Sequence, residues 1–323
     1  STSLHDAVLM PSSSSSFRPS IRDDALEETS FHALRAFVTE YIECIDDGYD
    51  PFNDVDVDDA QGKSAPTTTT TLTSSFWIPR DAFERPRNAI EAYVGAMASS
   101  SAFQRAFEET SGTLCEGGGA CAGAEWWIQD VAWDEPPKLY HTDCDVRVEF
   151  EEGGEGMSGG YVSKRTFPEV ASVLYIEGGE RCGGLDAGAT VVFDQTTSDD
   201  GDGNLCPKTP RSACACAPKA NRLLLFGGDR WHGVLRGEAG FRGQRVTLLV
   251  NWWREKPSGA RALTKRFVDE RAVVAKAGAL TRVKCHVESR GAYSNDAEDW
   301  EAQRLPRPRD GAILDDARLY AYE

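Results

Sequence analysis

Between Asp23 and Asp46 the apolar side chains fall three and four residues apart, at Leu26, Phe31, Leu34, Phe37, Val38, Tyr41, Ile42 and Ile45. That period predicts an amphipathic helix with one buried stripe, and Gly48 stands where its C-cap is expected. A second helical pattern runs from about Pro86 to Glu109, apolar at Ile90, Tyr93, Val94, Met97, Phe103 and Phe107, with Ser111-Gly112 ending it. From Trp126 the texture changes to short β-like runs: Trp126 to Trp133, Lys138 to Val148, Val170 to Ile176, Thr190 to Phe193, Arg222 to Phe226, His232 to Leu235 and Val246 to Trp253. Short strands with Gly-rich punctuation and no helices between them predict an all-β sandwich or barrel, not a parallel α/β sheet. Ser258 to Leu280 reads as a C-terminal helix, apolar at Leu263, Phe267, Val268 and Val274.

These patterns divide the chain. Residues 1–20, polar and aperiodic, are expected as a mobile tail. Residues 21–123 are expected to form a helical region packed on the core, with a low-complexity loop at 49–75 that joins an acidic run to a Thr run. Gly62-Lys-Ser64 inside that loop is not a phosphate loop, because the position of the earlier glycine holds Val57. Residues 124–256 are the β core, interrupted by a polar insertion at 196–219. Residues 257–323 are the C-terminal helix and a charged, Pro-interrupted tail. The expected class is a mainly β core with flanking α-helices, α+β overall.

Composition narrows the function. In 323 residues, 40 % are hydrophobic and 10 % aromatic, enough for a sizeable core and against global disorder. Thirty-five basic against 52 acidic side chains leave a net charge of −17, which works against nucleic acid or anionic membrane as a partner. No run of about 18 apolar residues predicts a membrane-spanning helix. The chain starts at Ser1 without Met, which leaves a removed targeting segment open. The nine Cys contain no C-x-x-C pair. Cys206, Cys214 and Cys216 cluster, leaving open a disulfide with Cys182, a zinc site or plain loop thiols. No Asn-x-Ser/Thr sequon supports secretion. Compartment and oligomeric state are not legible.

The chemistry concentrates at two places. Leu139-Tyr-His-Thr-Asp-Cys-Asp145 sets His141 and Asp143 two residues apart, and Arg230-Trp-His-Gly-Val234 supplies His232. On a strand, positions i and i+2 point the same way, so His141 and Asp143 can aim into one barrel mouth while Thr142 faces away. Two imidazoles and one carboxylate make a three-coordinate face for non-haem Fe(II), with positions left for a co-substrate and O2. Catalytic zinc would also need a general base, and none is identifiable. The bland alternative is that each His is structural. Both, however, belong to the chain's five His and end β-like runs, and a cation follows the second. Trp231, Trp252 and Trp253 flank the expected mouth, where Trp252 or Trp253 either walls a pocket or, as is commoner, fills a sandwich core. Asp145, Glu149, Glu151, Glu152 and Glu155 follow the His-x-Asp as a solvated loop or an attractor of cations. The side chain of Cys144 is expected to point away from the metal.

On these residues the region from about Ala124 to Glu255 resembles the double-stranded β-helix of the Fe(II)/2-oxoglutarate-dependent dioxygenases, and within them the prolyl-hydroxylase-like branch. The matching pieces are His141-Thr-Asp143, Val173-Leu-Tyr-Ile176, Gly188-Ala-Thr-Val-Val-Phe193, Arg222-Leu-Leu-Leu-Phe226, His232-Gly-Val234 and Gln244 to Trp252, in that order. The resemblance implies a double-stranded β-helix (jelly roll) core. It implies that His141, Asp143 and His232 hold Fe(II), and that 2-oxoglutarate pairs its far carboxylate with Arg245 and takes a hydroxyl hydrogen bond from Tyr175. Arg242 is the fallback cation, because the family's commonly lies about ten residues after the distal His. The implied reaction uses O2, with ascorbate in support, hydroxylates an unactivated C–H bond, and releases succinate and CO2. A carboxylate at Asp143 speaks against halogenation, since the halogenating relatives carry a small residue there. The prime substrate is either a peptidyl prolyl side chain or a small free metabolite or amino acid. The reading of another class is a non-catalytic β-barrel module that binds metal or 2-oxoglutarate.

Overall fold

The computed structural model describes residues 19–46, 49–50, 55–56, 75–100, 103, 121–132, 140–151, 160–178, 188–197, 205–210, 213–234 and 244–263. They form mostly strands: β1 (Ser20–Arg22), β2 (Tyr49–Asp50), β3 (Val55–Asp56), β4 (Phe76–Pro79), β5 (Gly123–Ala132), β6 (Asp145–Glu151) and β7 (Gly160–Thr166). They continue with β8 (Val170–Glu177), β9 (Thr190–Thr197), β10 (Leu205–Cys206), β11 (Ala213–Cys216), β12 (Leu223–Gly227), β13 (Arg230–Val234) and β14 (Gln244–Trp253). The α-helices are α1 (Glu28–Asp46) and α2 (Ala89–Ala98).

A six-stranded antiparallel sheet runs in the order β1-β12-β8-β14-β5-β4. A smaller sheet centres on β9, paired with β10 and β11 on one side and with β13 on the other. Strands β6 and β7 form a separate hairpin, and β2 pairs with β3.

Period-two alternation gives the large sheet two buried faces. On β14, Val246, Leu248, Val250 and Trp252 join Val170, Leu174 and Ile176 of β8, Leu223 and Leu225 of β12, and the apolar stripes of α1 and α2 in one core. The opposite parity, with Ala171, Val173 and Tyr175 of β8 and Leu224 and Phe226 of β12, meets Val192 of β9 and Cys216 of β11. The architecture is therefore helices, large sheet, small sheet, compatible with a β-sandwich or jelly roll. The site residues lie on the inner face of this sandwich.

Helix α1 buries Phe31, Leu34, Val38, Tyr41, Ile42 and Ile45, as its periodicity predicts. It starts at Glu28, later than the pattern allows, because the preceding backbone is committed elsewhere. Asn221 donates to the Leu26 carbonyl and accepts from the Leu26 N–H, so this turn docks onto the loop before β12. Helix α2 is capped by Asn88, which accepts from the Glu91 N–H at 2.9 Å, and closes at Ser99; of the expected continuation to Glu109 only Phe103 is among the described residues, and it is helical. Phe103 lies beyond it, against Trp252.

The structure corrects several expectations. The run from Lys138 to Val148 is not one strand: His141 makes only an isolated bridge, residues 142–144 have no regular structure, and β6 begins at Asp145. The stretch read as a polar insertion contributes β11, in register with β9 from Ala213↔Phe193 to Cys216↔Thr190. Its Ala-Cys-Ala-Cys sequence carries no strong strand signal, yet Cys214 and Cys216 face inward. Strands β1, β4 and β7 also went unseen. The first two are short sheet edges, and β7 is largely exposed, so no inward apolar row marks it. Ser20, expected in the mobile tail, pairs with Leu225. Residues 258–263 are not helical, because Arg261 bonds its backbone to Ser75 and Trp77 beside β4; the remainder of the expected C-terminal helix lies outside the described residues. Trp252 walls no pocket, since it is fully buried on the helix side of the sheet. Among the described residues, no helix is long and apolar enough to cross a membrane.

Candidate metal centre

The His-x-Asp segment needs outside support, because it is not part of a strand. Three anchors provide it. His141 exchanges both backbone hydrogen bonds with His232 on β13, each 2.8 Å. Thr142 shares a hydroxyl bond of 3.0 Å with Thr197 on β9. Asn251 on β14 donates its amide to Asp143 Oδ2 at 2.9 Å. Both sheets thus hold a segment with no ladder of its own. The Thr142 hydroxyl is engaged by Thr197, and tethering, not pleating, produces the arrangement.

Close approach at the bridge requires Gly233. A Cβ there would sit 2.6 Å from Tyr140 Cδ1 and 3.0 Å from Tyr140 Cα. The glycine lets the backbone before His141 lie flat on β13.

The result is a cluster in which one ligating atom each of His141, Asp143 and His232 lies within 4.8 Å of the others. His141 Nε2 is 3.3 Å from Asp143 Oδ1, and His232 Nε2 is 3.7 Å from Asp143 Oδ2. His232 is buried and its ring packs on Phe226 at 5.0 Å, whereas His141 is exposed toward the mouth. His232 Nδ1 is 2.9 Å from the Arg230 carbonyl. A carbonyl only accepts, so Nδ1 carries the proton and the Nε2 lone pair faces the cluster. Burial lowers the His232 pKa, opposed by the Asp143 charge and assisted by His141, which keeps the ring neutral and able to ligate. Burial alone would raise the Asp143 pKa. Contact with His232 and His141 and the Asn251 amide outweigh it and hold the carboxyl below the usual carboxylate range.

Arg245 and Tyr175 form a second cluster on the same inner face. Arg245 is buried, with its guanidinium carbon 5.4 Å from the Tyr175 ring centroid. It donates to Gln129 Oε1 at 3.2 Å and to Thr190 Oγ1 at 2.9 Å, and its Nε has no partner. Among the described residues no carboxylate pairs with it. Tyr175 is fully buried, 2.7 Å from Thr190 Oγ1 and 2.9 Å from the Cys216 carbonyl, and burial pushes its pKa far above the usual range. Arg245 can only donate and the carbonyl can only accept. The proton chain therefore runs from Arg245 to Thr190, from Thr190 to Tyr175 and from Tyr175 to Cys216.

The register places the two clusters relative to each other. His232 pairs with Val192, and Thr190 is one two-residue step along the same strand, roughly 7 Å at strand rise. The donor set fits an ion such as Fe(II). The guanidinium, whose partners among the described residues are neutral, fits a carboxylate, because a buried cation is costly without an anion. A carboxylate about that far from the metal ligands would satisfy it.

The structure brings His141, Asp143 and His232 together, and Arg245 with Tyr175. Arg242 lies outside the described residues. Asp145 is no free attractor of cations: it is buried and engaged by Arg147 and Ser258. Glu152 and Glu155 lie outside the described residues. Cys144 is exposed beside the site, and Cys214 and Cys216 are buried free thiols, so the latter two are not loop residues. The sequence reading missed Thr190, Gln129 and Asn251. Asn251 was recoverable, since it shares the parity of Arg245 on β14; Gln129 and Thr190 come from other strands and needed the register.

No protein-family model matches the sequence, and no match to a curated protein was found. Solved structures do resemble it at low identity. A Pseudomonas putida prolyl-4-hydroxylase is 15 % identical at a TM-score of 0.35, covering 75 % of this chain and 95 % of its own. A Trichoplax adhaerens prolyl hydroxylase, solved with a hypoxia-inducible-factor peptide fragment, is 13 % identical at 0.38, covering 73 % and 83 %. HygX from Streptomyces hygroscopicus, solved with nickel and 2-oxoglutarate, is 9 % identical at 0.31, covering 78 % and 90 %. At such identities and scores, the roles of individual residues follow from this chain's own geometry.

Proposed function

We propose that the chain is an Fe(II)- and 2-oxoglutarate-dependent dioxygenase whose two sheets form a double-stranded β-helix core over residues 124–256. The observation that carries this reading is the pairing of a His141–Asp143–His232 cluster with a buried guanidinium that has no carboxylate partner among the described residues, on one inner face. His141, Asp143 and His232 would hold Fe(II). Arg245, with Thr190 and Tyr175 beside it, would receive the far carboxylate of 2-oxoglutarate. With O2, the bound metal and co-substrate supply the oxidation that hydroxylates a C–H bond and releases succinate and CO2.

The chain's own residues do the rest. The Arg230 carbonyl keeps the His232 proton on Nδ1, Asn251 holds the Asp143 carboxylate, and Thr190 relays the pull of Arg245 to Tyr175. The exposed ring of His141 lies on the open side, where a prime substrate can approach. That substrate is a peptidyl prolyl side chain or a small free molecule.

Anaerobic addition of Fe(II) and 2-oxoglutarate is expected to give a visible charge-transfer band that His232→Ala abolishes. Admitting O2 with a panel of peptides, amino acids and other metabolites is expected to release succinate and add oxygen to one of them. A band that survives His232→Ala would remove the metal assignment. A band without succinate across the panel would make the protein a binding module.

A further inference from the structure

Asp143 is the least constrained of the three ligands by its own backbone, because residues 142–144 belong to no strand. A carboxylate on such a segment rotates easily about its last torsion, and it can meet a metal through one oxygen or both. The difference matters for a six-coordinate ion. Two imidazoles, a chelating carboxylate and a chelating co-substrate fill every position, whereas a carboxylate bound through one oxygen leaves a place for O2.

We propose that Asn251 is the positioning residue that ties up Asp143 Oδ2 and so restricts the carboxylate to one-oxygen binding. This rests on the metal-dependent reading above. Asn251 is buried, and its Nδ2 lies 2.9 Å from Asp143 Oδ2. A carboxylate accepts only, so the amide must present its NH2 and not its oxygen. Oδ1, 3.3 Å from His141 Nε2, is left for the metal, while Oδ2, which faces His232 Nε2 at 3.7 Å, carries the amide. The anchor is stiff, because Asn251 sits on β14 between Glu125 of β5 and Ala171 of β8, paired on both sides. A neutral donor also orients the carboxylate without cancelling the charge that attracts the ion. The same strand face carries Arg245, so β14 sets the metal carboxylate at one end of the site and the co-substrate cation at the other.

The test is anaerobic Co(II) titration of the full chain, read by visible absorption, beside thermal melting without metal. Asn251→Leu keeps the volume and removes the donor; Asn251→Thr keeps a donor on a side chain suited to strands. Asn251→Leu is expected to weaken Co(II) binding about 10- to 100-fold and to shift the absorption of the bound ion, as a change in coordination number does. Asn251→Thr is expected to recover part of both, and it carries the test if the Leu variant does not fold. Wild-type affinity and spectrum in Asn251→Leu, with only a lower melting temperature, would reduce Asn251 to a structural role and overturn the proposal while leaving the metal site standing. No Co(II) binding by the wild-type chain would overturn both.

Discussion

A buried guanidinium without an anion among the described residues is an unfinished interaction. Arg245 spends two of its nitrogens on neutral oxygens of Gln129 and Thr190, and neutral partners do not offset the cost of removing a charge from water. Replacing Arg245 with Leu is therefore expected to weaken 2-oxoglutarate at least about tenfold, the loss of a charge-assisted hydrogen bond, while Co(II) affinity stays near wild type. Isothermal titration of each ligand separately decides the matter. Equal loss of both ligands would mean that Arg245 supports the fold and not the co-substrate. At this scale the sequence was informative where the chemistry is scarce: His141 and His232 could be named because the chain has five His, whereas Arg245 was chosen over Arg242 only because an alternating apolar run follows the cation that the resemblance implies. Thr190, Gln129 and Asn251 are common polar residues, and only cross-strand register shows what each one touches.

Elements succeed or fail as signals according to what they bury. Helix α1 and strands β8, β12 and β14 present continuous inward apolar rows to a core, and their patterns were legible. Strand β11 buries only small thiols, β7 is largely exposed, and the His141–Asp143 segment is held by partners far away in sequence. None of these leaves a periodic trace. The dependence of that segment on β13 makes Gly233 a sensitive position. Gly233→Ala would force the Tyr140 backbone away from β13, since its Cβ would have only 3.0 Å to Tyr140 Cα. Overpacking of this kind costs about 1–3 kcal/mol, and the bridge that seats His141 would open. Metal affinity is expected to fall together with stability, in contrast to Arg245→Leu. Retained Co(II) affinity in Gly233→Ala would show that the bridge does not seat the ligand.

Over the whole molecule, burial of titratable groups couples the site to the stability of the fold. His232 has a lowered pKa against an ordinary value of 6.5, so below that value the unfolded chain takes up a proton more readily than the folded one. With more protons bound by the unfolded state, stability rises with pH and is lost on acidification. At the other end, burial pushes Cys121 and Cys214 up to about 11 and Cys216 up to about 12, against an ordinary 9.0. The unfolded thiols ionise first there, so stability is present below 9.0 and falls as pH rises toward those values. The metal-free chain should accordingly be most stable between these limbs, as chemical denaturation at a series of pH values would show. The limbs are separable by mutation. His232→Asn removes the imidazole and should flatten the loss between about pH 7 and about pH 5, leaving the alkaline limb as it is. Bound metal should raise the stability of the wild type but keep or steepen its acid limb, because the folded ring is then held neutral while the unfolded chain still takes up the proton. An acid limb unchanged by His232→Asn would place its origin elsewhere, in the aspartates whose carboxylates are held below the usual range. Asp23 is held there by Arg222 and Lys219, and Asp145 by Ser258 and Arg147. Those groups stabilise the fold above an ordinary carboxylate value of 3.8 and lose that contribution only below it, so the two origins also differ in where the limb begins.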